Sequence, residues 1–349
     1  MRKIVTSLPL LTLFLMVASG VFADPNIIID RSGNKILIQK PFTRIISLYG
    51  AHTENLFSLG LDQEIIGVSK NEAYPPKAMT KPVFSYHDDA EKFLAARPDL
   101  VLVRPMIARG YKSLVVKLQK AGITVVSLQP RDVNEMYGYW MALGTMTGRE
   151  NQTREMINRF EAGLSVIKSL VQTIPNRERK KVYFEAIHSK MKTFAPSSIA
   201  IFALKTAGGI NIADDATSVR ETNIAGYGKE HILSHADEID VYLAQNGPMN
   251  RATIRRIKEE SGFKAIKAVK NGQIYIIDEK IVSRPTLRLL QGIYEIGRIL
   301  YPDYFKGLNR SPFAAGKGCV HLYFGSNPTV AKNFVRLYWK HKNAKRPRR

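Results

Sequence analysis

Short apolar runs alternate with helix-period stretches along most of this chain. "RIISL" (44–48) precedes "TENLFSLG", and "IIGVS" (65–69) leads into the turn "NEAYPPKA". "DLVLV" (99–103) precedes "YKSLVVKLQKAG", and "TVVSL" (124–128) precedes "DVNEMYGYWMALGTMTG". Such runs suit strands buried on both faces, and their alternation with helices predicts parallel α/β architecture. Upstream, "NIIIDRSGNKILIQ" reads as a hairpin, two β-rich runs around a Ser-Gly-Asn turn.

One stretch breaks the alternation. Met156, Phe160, Leu164, Ile167, Val171 and Ile174 recur at helical spacing through "RENQTREMINRFEAGLSVIKSLVQTIP", and Pro175 ends the stripe. A helix over 150–174 spans roughly 36 Å at 1.5 Å per residue, enough to run along the side of two domains. The α/β pattern then restarts with strands "KKVYFEA" (180–186), "DVYLAQ" (240–245) and "IYIID" (274–278). Helices are expected at "SSIAIFALKTAGG", "RATIRRIKEES" and "TLRLLQGIYEIGRILYP". The fold class is thus α/β: two lobes with mostly parallel sheets, bridged by one long helix, with a ligand cleft between them. The expected divisions are 1–23, 24–148, 149–175 (the linking helix), 176–325 and a basic tail, 326–349. Ligands of open α/β sheets bind beyond the carboxyl ends of the strands. That singles out loops 49–53, 70–75, 84–89, 104–110, 187–196, 220–229 and 279–288.

Composition narrows the function. "MRK" followed by an uncharged stretch, Ile4 to Ala23, predicts a signal peptide cleaved after Ala23 and a mature chain in the periplasm. Cys319 is the only cysteine, which excludes an intrachain disulfide and multi-thiolate metal sites. The formal charge of +22 suggests nucleic acid, but residues 304–349 hold eleven Lys/Arg and no Asp or Glu. With Arg2 and Lys3 removed as well, +9 remains for 24–303, and no nucleic-acid partner is expected. The tail's Val330, Phe334, Leu337 and Tyr338 could form one face of a basic helix touching an anionic membrane surface, or lie solvated. G-x-S-x-G, H-E-x-x-H and P-loop motifs are absent, so an enzyme is not expected.

"RIISLYGAHTENLFSLGLDQEIIGVS", "YPPKA", "AARPDLVLV" and "KAGITVVSL" resemble the amino-terminal lobe of the iron-siderophore/cobalamin type periplasmic binding proteins. "TAGGINIADD", "GKEHILSHADEIDVYLA" and "SRPTLRLLQGIYEIGRILYP" resemble the carboxy-terminal lobe. The resemblance covers about residues 27–305. It implies the substrate-binding subunit of an ABC importer, a monomer delivering its ligand to an inner-membrane permease with its ATPase. The family's ligands are ferric chelates, corrinoids and haem, carried as cargo and not as permanent cofactors. A ferric siderophore-type complex is the leading expectation, with a corrinoid or haem as the alternative.

Candidate contacts follow from the cleft loops. Tyr49, Tyr74, Tyr86 and Tyr227 offer rings and hydroxyls. Arg104, Arg109, Arg220, Arg284 and Arg288 offer guanidinium forks for anionic oxygens. His52, His87 and His188 are placed on the cleft lip; with Glu54, Asp88 or Glu185 they could instead hold a bare transition metal. Glu54 suits a helix start that Thr53 caps. The resemblance implies that Glu54 projects outward to dock on a permease arginine. The second lobe's matching helix, 195–209, carries no carboxylate, so either docking is lopsided or the second contact comes from elsewhere, with Glu185 and Asp214 as candidates.

Overall fold

The computed structural model describes residues 26–218 and 222–306. The expected signal peptide, the basic tail, Cys319 and Arg220 lie outside the described residues.

The hairpin forms as expected: β1 (Asn26–Ile29) pairs antiparallel with β2 (Lys35–Ile38). Five strands then make a wholly parallel sheet: β3 (Ile45–Ser47), β4 (Ile65–Ser69), β5 (Val83–Phe84), β6 (Leu100–Val103) and β7 (Thr124–Ser127). Their order is β5-β4-β3-β6-β7, so the direction of winding reverses between β3 and β6. The four runs read as strands are all here, buried because helices cover both faces.

The linking helix, Glu150–Val171, is 22 residues and so about 33 Å long. All six residues of its expected stripe are buried. Before it, Val133–Thr147 starts on an Asp132 carboxylate that accepts from Glu135 N–H at 2.9 Å. That helix ends at Gly148 in the left-handed conformation (φ 64).

The second sheet has eight strands and is mixed. Its parallel centre is β8 (Lys181–Ile187), β10 (Ile210–Asn211), β13 (Val241–Gly247) and β15 (Ile274–Asp278), ordered β10-β8-β13-β15. Antiparallel strands flank it: β9 (Lys192–Phe194), β11 (Thr217–Ser218), β12 (Ile224–Gly226) and β14 (Asn250–Arg251). One continuous apolar core runs from Ile45 and Leu56 through Phe160 and Leu164 to Phe184 and Leu243. The linking helix therefore fuses the lobes through a shared interior. Separate clusters, around Val101 and Phe93 and around Tyr242 and Phe263, fill the outer halves. No helix among the described residues is long and apolar enough to cross a membrane.

Candidate functional site

The carboxyl end of β3 leads through Leu48 and Tyr49 into helix Gly50–Ser58. The expected start at Thr53 is three residues late. Tyr49 occupies the cap position, and the Thr53 hydroxyl sits inside the first turn, donating to Ser47 Oγ at 2.8 Å. β6 ends beside β3 and delivers Arg104. Arg104 and Tyr49 therefore meet at the winding reversal, where ligands of such sheets bind. The Arg104 guanidinium lies 4.7 Å from the Tyr49 ring centre, and its buried Nε has no hydrogen-bond partner among the described residues. Burial pushes the Tyr49 phenol up, against the opposing pull of Arg104 and Arg284.

From the second lobe, Arg284 reaches the same point. A Cβ on Gly50 would lie 2.2 Å from Arg284 Nη1, so only glycine lets the guanidinium rest on the helix start. That end of the helix is itself electropositive. Arg284 is only 7% exposed. Glu279 Oε1 stands 3.7 Å from its Nη2, too far for a hydrogen bond.

Between the lobes lies a cavity of about 530 Å³. Lys70, Asn71 and Glu72 line it from the end of β4, and Asn246, Lys280 and Arg284 line it from the second lobe. Glu72 accepts from Ser69 Oγ at 2.6 Å, and burial holds its carboxyl above the usual range. Pattern reading did not single out Glu72, Glu279, Lys70 or Asn246. Gly50 and Gly247 were the available signals, since a Cβ on Gly247 would lie 2.3 Å from the Glu279 side chain.

Several expectations are corrected. Glu54 does not project outward: it is 2% exposed. Arg288 of the second lobe donates to both its oxygens, Nε to Oε1 at 2.8 Å and Nη2 to Oε2 at 2.7 Å. Arg288 is accordingly an inter-lobe tie and not a free ligand contact. Its guanidinium also covers the Tyr74 ring at 4.6 Å, so Tyr74 serves the same junction. Beside it, the Pro285 carbonyl accepts from Asn55 Nδ2 and from Trp140 Nε1, each at 2.9 Å.

His52 is not on a lip. It is wholly buried, with Nδ1 2.7 Å from the Tyr139 hydroxyl and Nε2 3.3 Å from the Val103 carbonyl oxygen. Burial lowers its pKa to about 3, which keeps the ring neutral. His188 is buried too, its Nδ1 2.7 Å from Glu185 Oε2, and that hydrogen bond raises its pKa. Tyr242 and Asn250 donate to the same carboxylate at 2.5 and 2.9 Å. Glu185 is therefore shut in and cannot meet an external arginine. Asp214 is exposed but bonded to Lys205 at 2.6 Å.

Tyr227 packs on Tyr183 with ring centres 5.9 Å apart, against the apolar cluster around Tyr242 and Phe263. Tyr86 and His87 join Tyr111 in an aromatic group beyond β5, with Tyr86 and Tyr111 centres 4.6 Å apart. Arg109 is exposed on helix Pro105–Gly110. The three histidines thus occupy three separate environments. Among the described residues no group of three or more His, Cys, Asp or Glu could hold a metal ion.

Two α/β lobes fused through one helix, with strand ends converging on a charged cavity, define a two-lobed substrate-binding protein. The periplasmic binding protein family model matches residues 45–281, and the chain belongs to that family. It is 26% identical over 286 residues to an uncharacterized ABC transporter substrate-binding lipoprotein of Bacillus subtilis (strain 168), covering 81% of this chain and 87% of that one. Identity to a vitamin B12-binding protein of Vibrio cholerae is 23% over 265 residues, 74% and 90% of the two chains. A crystal structure from Staphylococcus epidermidis, described as a possible iron-binding (periplasmic solute-binding) protein, superposes with a TM-score of 0.64 at 26% identity. That match covers 75% of this chain and all of the other. The chain is thus a substrate-binding protein of the ABC transporter type.

Proposed function

We propose that this protein, exported to the periplasm, captures a metal chelate bearing anionic oxygens and delivers it to an inner-membrane permease and its ATPase. The observation that carries the reading is the convergence of Arg104 and Arg284 on the start of helix Gly50–Ser58. Two guanidinium groups and a helix amino terminus stand together there, with no carboxylate hydrogen-bonded to either arginine among the described residues. Positive charge gathered from two lobes calls for an anion that bridges them. A ferric siderophore-type complex fits this chemistry, and the family relationship points the same way.

A second reading takes its support from the Tyr86–His87–Tyr111 aromatic group and the relationship to a vitamin B12-binding protein. Aromatic rings grouped beyond the end of β5 can offer a face or an edge to the flat surface of a corrinoid or haem.

The test is titration of the purified chain with ferric dicitrate, ferrioxamine B, haemin and cyanocobalamin, together with metal analysis and mass spectrometry of protein from its native host. Replacing Arg104 and Arg284 with Met should weaken an anionic chelate roughly a hundredfold or more, since each charge-assisted hydrogen bond contributes about 1.5–3 kcal/mol. Unchanged affinity in that double variant would refute the arginine assignment.

A further inference from the structure

The loop that enters helix Leu289–Leu300 carries two arginines four residues apart, and they are treated differently. Arg288 is closed onto Glu54 in a bidentate pair. Arg284 is more deeply buried, yet Glu279 stands 3.7 Å away and no hydrogen bond reaches its guanidinium among the described residues. Arg284 lines the inter-lobe cavity, whereas Arg288 does not.

Glu279 is held in this stand-off by its surroundings. Asp278 accepts from Lys280 N–H at 2.9 Å and so starts the short helix Glu279–Val282 at the end of β15. Gly247, at the end of β13, leaves the room that the Glu279 side chain fills. Burial raises the Glu279 carboxyl, and both Arg284 and Arg104 oppose that rise. Its charge is therefore felt on both sides of the cleft.

Building on the chelate reading above, we propose that Glu279 is a displaceable counter-ion: a carboxylate of the ligand enters between Arg104 and Arg284 and takes its place on Arg284. A loose contact at 3.7 Å is weaker than the two parallel hydrogen bonds a ligand carboxylate can make to the same fork. Glu279 then sets the charge that the cleft demands. It neutralises the buried guanidinium before binding and repels the incoming anion during it. Glu279 is thus a specificity-determining residue that favours ligands able to make a bidentate contact over those that only carry charge.

The experiment titrates the full chain and its Glu279→Gln and Glu279→Asp variants with the same four chelates. Ferric dicitrate and haemin carry carboxylates; ferrioxamine B and cyanocobalamin do not. Glu279→Gln removes the repulsion and should tighten the carboxylate-bearing chelate that wild type binds by roughly thirtyfold, the scale of a unit charge ~8 Å away at an effective dielectric of about 20. Glu279→Asp keeps the charge and should stay near wild type, and carboxylate-free chelates should be unaffected by either change. Equal or weaker binding of the carboxylate-bearing chelate by Glu279→Gln overturns the proposal, as does wild type that binds only carboxylate-free chelates. Wild type that binds none of the four overturns the chelate reading itself. A urea midpoint for Glu279→Gln well below that of wild type, with Glu279→Asp unaffected, would recast Glu279 as a structural partner of Arg284 and likewise overturn the proposal.

Discussion

Replacing Glu54 with Ala should cost far more than the loss of an exposed helix-start acid. Both Glu54 oxygens accept from Arg288, at 2.8 and 2.7 Å, and the carboxylate is 2% exposed. Removing it leaves a guanidinium with a side chain 13% exposed, trapped between the lobes and stacked on Tyr74. Breaking a buried pair from one side typically costs about 3–5 kcal/mol, because the remaining charge is uncompensated. The lower half of that range applies here, since the long Arg288 side chain can partly swing toward water. Against a typical domain stability of about 5–15 kcal/mol, this is a large fraction. The assay is equilibrium urea denaturation of wild type, Glu54→Ala, Arg288→Met and the double variant. Trp140 serves as a local fluorescent reporter, because its indole N–H donates to Pro285 O at the same junction. The double variant should recover much of the loss, giving a coupling energy of about 2 kcal/mol or more. A Glu54→Ala variant within about 0.5 kcal/mol of wild type, with additive single effects, would refute the inter-lobe tie. It would return Glu54 to the solvent and to an outward docking face.

Gly50→Ala should displace Arg284, because the new Cβ would lie 2.2 Å from Nη1; chelate titration should show weaker binding of an anionic ligand with little change in the urea midpoint. His52 is neutral in the fold with a pKa near 3, while the unfolded chain protonates near 6.5. Its contribution is therefore complete above that value and is lost as pH falls toward 3; between pH 7 and 4.5 the loss is about 2–3 kcal/mol. A His52→Gln variant whose stability falls just as steeply over that interval would remove His52 from the explanation. His188 acts in the opposite direction, since the Glu185 hydrogen bond raises its pKa. Its contribution is present below the unfolded value and lost as pH rises through the folded one, so His188→Gln should flatten the stability profile on that side.

Local pattern was enough to place β3, β4, β6, β7, β8, β13 and β15 and the linking helix. A strand covered on both faces must be a short apolar run, and a helix covered along one side must repeat every three or four residues. Those are properties of neighbouring residues, so the chain displays them directly. The stripe from Met156 to Ile174 is the clearest case, with all six residues buried. The convergence of Tyr49, Arg104 and Arg284 was readable in part, because strand-end loops of an α/β sheet share one side. What each side chain does there was not readable. Arg284 and Arg288 look alike in "VSRPTLR", yet one lines the cavity and the other closes on Glu54, 234 positions earlier in the chain. His52 sits beside Thr53 and Glu54 in a stretch that suggests a cleft lip, but its ring turns inward to Tyr139, 87 residues away. Side-chain direction at a lobe junction is chosen by whichever distant partner relieves the cost of burying a charge or a ring nitrogen. The Glu54–Arg288 contact joins helix Gly50–Ser58 to the other lobe across 234 positions, so tertiary structure alone decided which acid faced inward.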